Sequence, residues 1–205
     1  ITGGTGGHVI PAVNFANFLI NKNLNCKLML DKRGQRYSNF LKSRTYVFRS
    51  SNLYGSLINK IYGIFNLFVG FFQCLFIIFY YRPNVVVSFG SYASFLPMIC
   101  CLLLKLFFKI NIYIHEQNSI IGRTNALFMV FANKIFLNFD IIAKIAHKYR
   151  NNTFIVGSPE KYISNLKYKV NRELESKFTI FIFGGSQGSE YITNFSLDLI
   201  KTIKK

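Results

Sequence analysis

The chain has 205 residues, 51% of them hydrophobic and 16% charged, and its 25 Lys and Arg against 8 Asp and Glu leave a formal charge of +17. That apolar content excludes disorder, and the length supports one or two domains with a sizeable core. The one-signed charge draws polyanions or anionic lipid. The basic residues are nevertheless spread thinly on both sides of His115 and form no stripe that would track phosphates, so nucleic acid is not the expected partner.

The first eight residues, ITGGTGGH, read as a glycine loop opening a helix. Such a loop lets backbone N–H groups at a helix N-terminus approach an anion or a sugar ring. The helix is expected to start after Gly7, with Pro11 in its opening turn and Val9, Val13, Ala16 and Ile20 on one face, and to end near Asn23. The chain begins at Ile1 without a methionine and is expected to be part of a longer polypeptide.

Runs of β-branched and aromatic residues predict strands at 24–30, 45–49, 84–89, 111–115, 134–137, 153–156 and 178–183, with helices in most of the gaps. This is the α/β pattern of βαβ units around a parallel sheet. Neither the G-x-G-x-x-G nor the Walker fingerprint is present in the first loop. Asp31 closes the predicted strand at 24–30, where an acid could bind an adenosine ribose, although a surface acid at a strand end is the commoner reading.

Residues 61–81 carry no charge over 21 positions, and a helix of about 1.5 Å per residue would then span roughly 31 Å. Asn59, Gly63, Asn66, Gly70, Gln73 and Tyr80 draw a small or polar stripe down one side of an otherwise apolar surface. The expected role is an interfacial helix flanked by Lys60 and Arg82, with a core helix and a membrane span as the alternatives.

The four cysteines, Cys26, Cys74, Cys100 and Cys101, lie in apolar segments without zinc spacing and are read as buried thiols of a reducing compartment. A second turn, Gly90-Ser91-Tyr92, again links an apolar strand to a helix, and a third is GGSQG at 184–188. Between them His115, Glu116, Gln117 and Asn118 leave a buried strand at the edge where α/β sheets hold ligands. Gly157-Ser158-Pro159 breaks the pattern. The expected domains are therefore a Rossmann-like unit over 1–157 and, over 158–205, a linker with the first βα unit of a second domain that is cut short.

Taken in order, residues 3–8, the turn at 90–92, residues 115–125 (HEQNSIIGRTN), Gly157-Ser158-Pro159 and GGSQG resemble the MurG family, the UDP-N-acetylglucosamine transferases of glycosyltransferase family 28. The resemblance covers essentially the whole chain. It departs at Ser91, where a glycine is usual, and at Ser158 and Lys161, where Asn and Arg are common.

The resemblance implies a two-domain GT-B fold and an inverting hexosyltransferase. N-acetylglucosamine would pass from UDP-N-acetylglucosamine to the muramyl C4 hydroxyl of lipid I, giving lipid II for peptidoglycan synthesis at the cytoplasmic face of the bacterial inner membrane. This chain alone is expected to be inactive. From the residues alone His8 reads first as a helix-start hydrogen-bonding group; the resemblance makes it the candidate base, with the two readings then standing even. Thr5, Gly6 and Gly7 would present donors to the sugar or diphosphate, with Ser186 and Gln187 opposite; Asn118 would contact the donor sugar and Lys161 the diphosphate as a point charge. Tyr92, His115, Glu116, Gln117 and Asn125 are expected to bind acceptor or shape the cleft. No cofactor and no metal are expected, since no paired acids such as D-x-D occur. Two other functions stay open: a non-catalytic acceptor-binding membrane subunit of a split lipid-linked sugar transferase, and a nicotinamide-dependent oxidoreductase resting on the first loop and Asp31.

Overall fold

Six of the expected strands form, three to six residues long. The structure, a computed structural model, describes residues 1–40, 42–51, 55–159, 180–183 and 189–203. It divides into two units, Ile1–Lys161 and Tyr162–Lys205.

In the first unit the order is α1 (Gly6–Asn21), β1 (Leu28–Asp31), β2 (Thr45–Phe48), α2 (Leu57–Tyr81), β3 (Val85–Ser88), α3 (Phe95–Leu104), β4 (Asn111–Glu116), α4 (Arg123–Phe128), β5 (Lys134–Leu137) and β6 (Thr153–Ile155). All pairs are parallel. β1 pairs with β2, with Leu28 opposite Thr45. A second sheet runs β3-β4-β5-β6, with Val85 opposite Asn111, Tyr113 opposite Lys134 and Ile135 opposite Thr153.

Ile1 and Thr2 lie between the two sheets and join them. The Thr2 N–H donates to the Met29 carbonyl at 3.0 Å, and the Phe89 N–H donates to the Ile1 carbonyl at 2.9 Å. The glycine loop that follows is therefore delivered to the C-terminal edge of β1 and β3, where α/β sheets place ligands.

The core follows from the alternation of buried side chains. Ile112 and Ile114 of β4 and Leu137 of β5 are fully buried, and Met98, Cys100 and Cys101 of α3 cover them. Each such side chain contributes about 1.5–3 kcal/mol. Burial pushes the Cys100 and Cys101 thiols up to about 12, so they stay protonated as core residues; Cys26 is only half-buried. On α1, Val9, Val13 and Ala16 are buried as the periodicity predicts, together with Ala12. An apolar cavity of about 650 Å³ opens at the other end of the strands, lined by Ala12, Leu28, Ile77, Tyr81 and Val85.

Helix α2 settles against the sheet through Gly63, Gly70, Cys74 and Ile78. The stripe of small residues is thus its packing side: a Cβ on Gly70 would overlap the Arg49 carbonyl oxygen, and Gln73 Oε1 accepts the Arg49 N–H at 2.9 Å. The two ends of the expected stripe, Asn59 and Tyr80, are exposed instead.

In the second unit the helix α5 (Glu190–Ile203) is present with no buried residue. The strand expected at 178–183 is not found over residues 180–183, which join no ladder, because a strand needs a neighbour and no described strand lies beside them. Residues 178 and 179 lie outside the described residues, as does the boundary stretch after Pro159 up to residue 179.

Candidate functional site

The site is built on the glycine loop, and the loop is built on Asp31. The Asp31 carboxylate is fully buried and accepts from the Gly4 N–H and the Gly34 N–H, both at 2.8 Å, from Ser50 Oγ at 2.9 Å and from Arg33 Nε at 3.2 Å. Burial alone would raise its pKa, but the hydrogen bonds from Gly4, Gly34, Ser50 and Arg33 outweigh it and hold the group below the usual aspartate range. This corrects two expectations. Asp31 is not a surface acid, and its oxygens already serve the loop, so the oxidoreductase reading loses the residue that was to hold a ribose.

Gly3 and Gly4 have to be glycines here. A Cβ on Gly3 would stand 2.5 Å from Ala93 Cβ and 2.7 Å from Asp31 Oδ1, and Gly4 has φ +76°. The loop then turns into α1 with Thr5 at the N-cap position, whose hydroxyl caps nothing. The His8 and Val9 N–H groups bond the Thr5 carbonyl. The N–H groups of Gly6 and Gly7 have no acceptor among the described residues, so α1 presents two donors at the positive end of its dipole.

The second turn packs on the first. Ser91, at φ 74° and ψ 150°, occupies backbone space that is nearly exclusive to glycine. Its neighbour Tyr92 is 39% exposed, with the Arg33 guanidinium 5.9 Å from its ring centre.

At the end of β4 the Glu116 carboxylate, 1% exposed, works as a bracket for the loop that follows. Its Oε1 accepts from the Asn118 main-chain N–H and from Asn118 Nδ2, both at 3.0 Å, and its Oε2 from the Gly122 N–H and Asn125 Nδ2, both at 2.9 Å. Asn125 is buried and also donates to the His115 carbonyl at 3.3 Å. Glu116 and Asn125 therefore fix the course of the chain from the end of β4 into α4. Asn118 is exposed, with its main-chain N–H and one N–H of Nδ2 tied to Glu116 and its Oδ1 without a described partner.

His8 and Gln117 meet at the centre of this edge. His8 Nδ1 lies 2.8 Å from Gln117 Oε1 and 3.0 Å from the Phe89 carbonyl. Gln117 Nε2 lies 3.1 Å from His115 Nδ1, and His115 Nε2 lies 3.0 Å from the Gly157 carbonyl. The His115 ring stacks on Phe89 with centroids 5.1 Å apart. Burial lowers the His115 pKa, against the raising effects of the Gly157 carbonyl and Glu116, so the ring stays neutral at neutral pH.

Among the expected site residues, Thr5, Gly6, Gly7, His8, Tyr92, His115, Glu116, Gln117 and Asn118 belong to the two turns and the end of β4, and Asn125 reaches that end from α4. Lys161, Ser186 and Gln187 lie outside the described residues. The sequence reading missed Phe89 and Gly157, whose contributions are main-chain carbonyls without a residue signature, and Asn138, whose Nδ2 donates to the Gln117 carbonyl at 3.0 Å. No cluster of metal-ligating side chains occurs among the described residues.

A second surface belongs to α2. Ile61, Ile64, Phe65, Phe68, Phe72 and Phe76 all stand more than half exposed on one side of a 25-residue helix long and apolar enough to cross a membrane, which removes the reading of α2 as a plain core helix. Leu106 and Phe107 are exposed just after α3, which packs on α2, and Lys105 and Lys109 flank them.

An all-parallel sheet whose C-terminal edge carries glycine turns, a histidine and a strand-end polar cluster is a Rossmann-like ligand-binding domain. Residues 1–137 match the glycosyltransferase family 28 N-terminal domain, and the chain belongs to that family. It is 32% identical over 195 residues to the UDP-N-acetylglucosamine–N-acetylmuramyl-(pentapeptide) pyrophosphoryl-undecaprenol N-acetylglucosamine transferase of Rickettsia canadensis (strain McKiel), covering 93% of the chain and 52% of the relative. The protein of the same name from Protochlamydia amoebophila (strain UWE25) is 32% identical over 213 residues, covering 98% of the chain and 55% of the relative. The crystal structure of Acinetobacter baumannii MurG shares the fold, with a TM-score of 0.55 and 23% identity over 68% of this chain and 40% of that one. The chain spans about half the length of the curated relatives it matches.

Proposed function

We propose that this chain is the acceptor-side half of an inverting transferase that moves N-acetylglucosamine from UDP-N-acetylglucosamine to the muramyl C4 hydroxyl of lipid I, giving lipid II, at the cytoplasmic face of the bacterial inner membrane. The observation that carries the reading is His8, held at its Nδ1 by two oxygens while its Nε2 has no described partner, beside the open donors of Gly6 and Gly7.

The acceptor oxygen attacks the anomeric carbon, its proton passes to His8 Nε2, and the bond from that carbon to the diphosphate breaks with its electron pair leaving on UDP. Thr5 Oγ1 and the N–H groups of Gly6 and Gly7 supply donors to the sugar or diphosphate. Asn118 Oδ1 is available to the donor sugar, and Lys161, Ser186 and Gln187 are assigned donor contacts from the second domain. The apolar face of α2, with Lys60, Lys105 and Lys109 near it, binds the anionic membrane that holds the lipid acceptor.

In this reading acceptor and membrane contacts lie on 1–157 and the start of the donor domain on 158–205. The decisive experiment measures UDP release with lipid I and UDP-N-acetylglucosamine, using the chain alone and the chain joined to the C-terminal half of the Rickettsia canadensis relative. Release by the joined protein only is the expected result. Robust release by the 205-residue chain unaided would show the donor site to be misplaced, and a joined protein that folds and binds both substrates without release would favour a non-catalytic acceptor-binding subunit.

A further inference from the structure

Every proton in the line from His8 through Gln117 to His115 is assigned by a main-chain carbonyl, which can only accept. The Phe89 carbonyl at 3.0 Å requires a proton on His8 Nδ1. The His115 carbonyl at 2.8 Å requires the nitrogen of the Gln117 amide on its side. The Gly157 carbonyl at 3.0 Å requires a proton on His115 Nε2.

These three assignments, made independently, agree with one another. Gln117 Nε2 then donates to the unprotonated His115 Nδ1 at 3.1 Å, and Gln117 Oε1 accepts from His8 Nδ1 at 2.8 Å. Both N–H donors of the Gln117 amide are engaged and the side chain is 9% exposed, so it has no donor left for a sugar hydroxyl. The consequence is that the neutral form of His8 carries its lone pair on Nε2, in a residue that remains half-exposed.

We propose that Gln117 is a positioning residue for His8: anchored through His115 on the Gly157 carbonyl, it holds His8 in the Nδ1–H tautomer and leaves Nε2 as the base. When Nε2 takes a proton, the positive ring keeps two oxygens on its Nδ1–H, those of Phe89 and Gln117. The arrangement does with neutral groups what the third member of a nucleophile–base–orienter constellation does with a carboxylate. The proposal rests on His8 as the base of the reaction above, but the tautomer belongs to the resting chain and needs no substrate to be measured.

The test is nitrogen NMR of the 205-residue chain labelled with 15N-histidine at pH 8, with the His8 ring assigned by its disappearance in His8→Ala. The expected result is a protonated Nδ1 in His8 and a protonated Nε2 in His115. His8 protonated on Nε2, or a mixture of tautomers, overturns the proposal.

In the joined transferase, Gln117→Met should lower kcat about 10- to 100-fold, the worth of one hydrogen bond to a charged group, with the acceptor KM unchanged. Gln117→Glu, which keeps an oxygen facing His8, should recover part of that loss. A raised acceptor KM with normal kcat would make Gln117 a substrate contact and sink the idea. Normal turnover by His8→Ala would remove the catalytic reading itself, whereas a wrong tautomer in an enzyme that needs His8 would remove only the role of Gln117.

Discussion

The Asp31 carboxylate accepts the Gly4 N–H at 2.8 Å across 27 residues of sequence, and this bond ties the end of β1 to the turn that opens α1. Asp31→Ala leaves the Gly4 and Gly34 N–H groups without their acceptor, at about 1–3 kcal/mol each, so we expect a loss of about 2–4 kcal/mol in urea unfolding. The folded pKa is depressed, so the contribution is complete above the ordinary aspartate value of about 3.9 and is lost as pH falls through the lower folded value. The variant should therefore show a shallower acid limb below about pH 4 than the parent. An equally steep limb would mean that other carboxylates govern acid unfolding.

His115 gives a second pH window with the same sign. Its folded pKa lies below the unfolded value of about 6.5, so the unfolded chain takes up the proton first and stability declines as pH drops below that value. His115→Gln should flatten the dependence just below about pH 6.5. An unchanged slope there would show that the ring is not held neutral by the fold.

Ser91 stands where glycine is at ease, and its hydroxyl returns only a 3.4 Å contact to the Ala93 N–H. Backbone strain of this kind costs about 1–3 kcal/mol, so Ser91→Gly should stabilise the chain by about 1 kcal/mol and raise its melting temperature by a few degrees. A lower melting temperature would show that the Ser91 side chain compensates for its φ.

Phe68 and Phe72 pack edge to face on the exposed side of α2, with ring centroids 4.9 Å apart. Replacing both with Glu removes apolar area from the interface and repels anionic headgroups, so the chain should leave anionic liposomes while its circular dichroism is unchanged. Raised salt should weaken binding of the parent. Parent protein that resists carbonate extraction would instead identify α2 as a membrane span.

Much of the first unit was legible because its strands and α1 carry strong local signals: β-branched runs, and Val9, Val13 and Ala16 at helical spacing. On α2 the small stripe was visible but its role was not: part of the apolar arc was expected to cover the sheet, whereas Gly63 and Gly70 do so because only small side chains let the helix meet the Arg49 backbone. Asp31 was misread because two of its four partners are main-chain donors, one of them 27 residues earlier, which no local pattern displays. The bond from His8 to Gln117 spans 109 positions, and its companion acceptor is the Phe89 carbonyl, so the roles of these residues emerged only from the fold. The GGSQG loop was readable as a motif, but it falls outside the described residues.

The central claim is that His8 is the base of sugar transfer. Steady-state UDP release by the chain joined to the C-terminal half of the Rickettsia canadensis relative, with His8→Ala beside the parent, tests it most directly. The account predicts a fall in kcat of about 10² to 10⁴, the range for losing a general base, with a smaller effect on donor binding. Near-normal kcat in His8→Ala would contradict it and return His8 to a purely structural place at the start of α1.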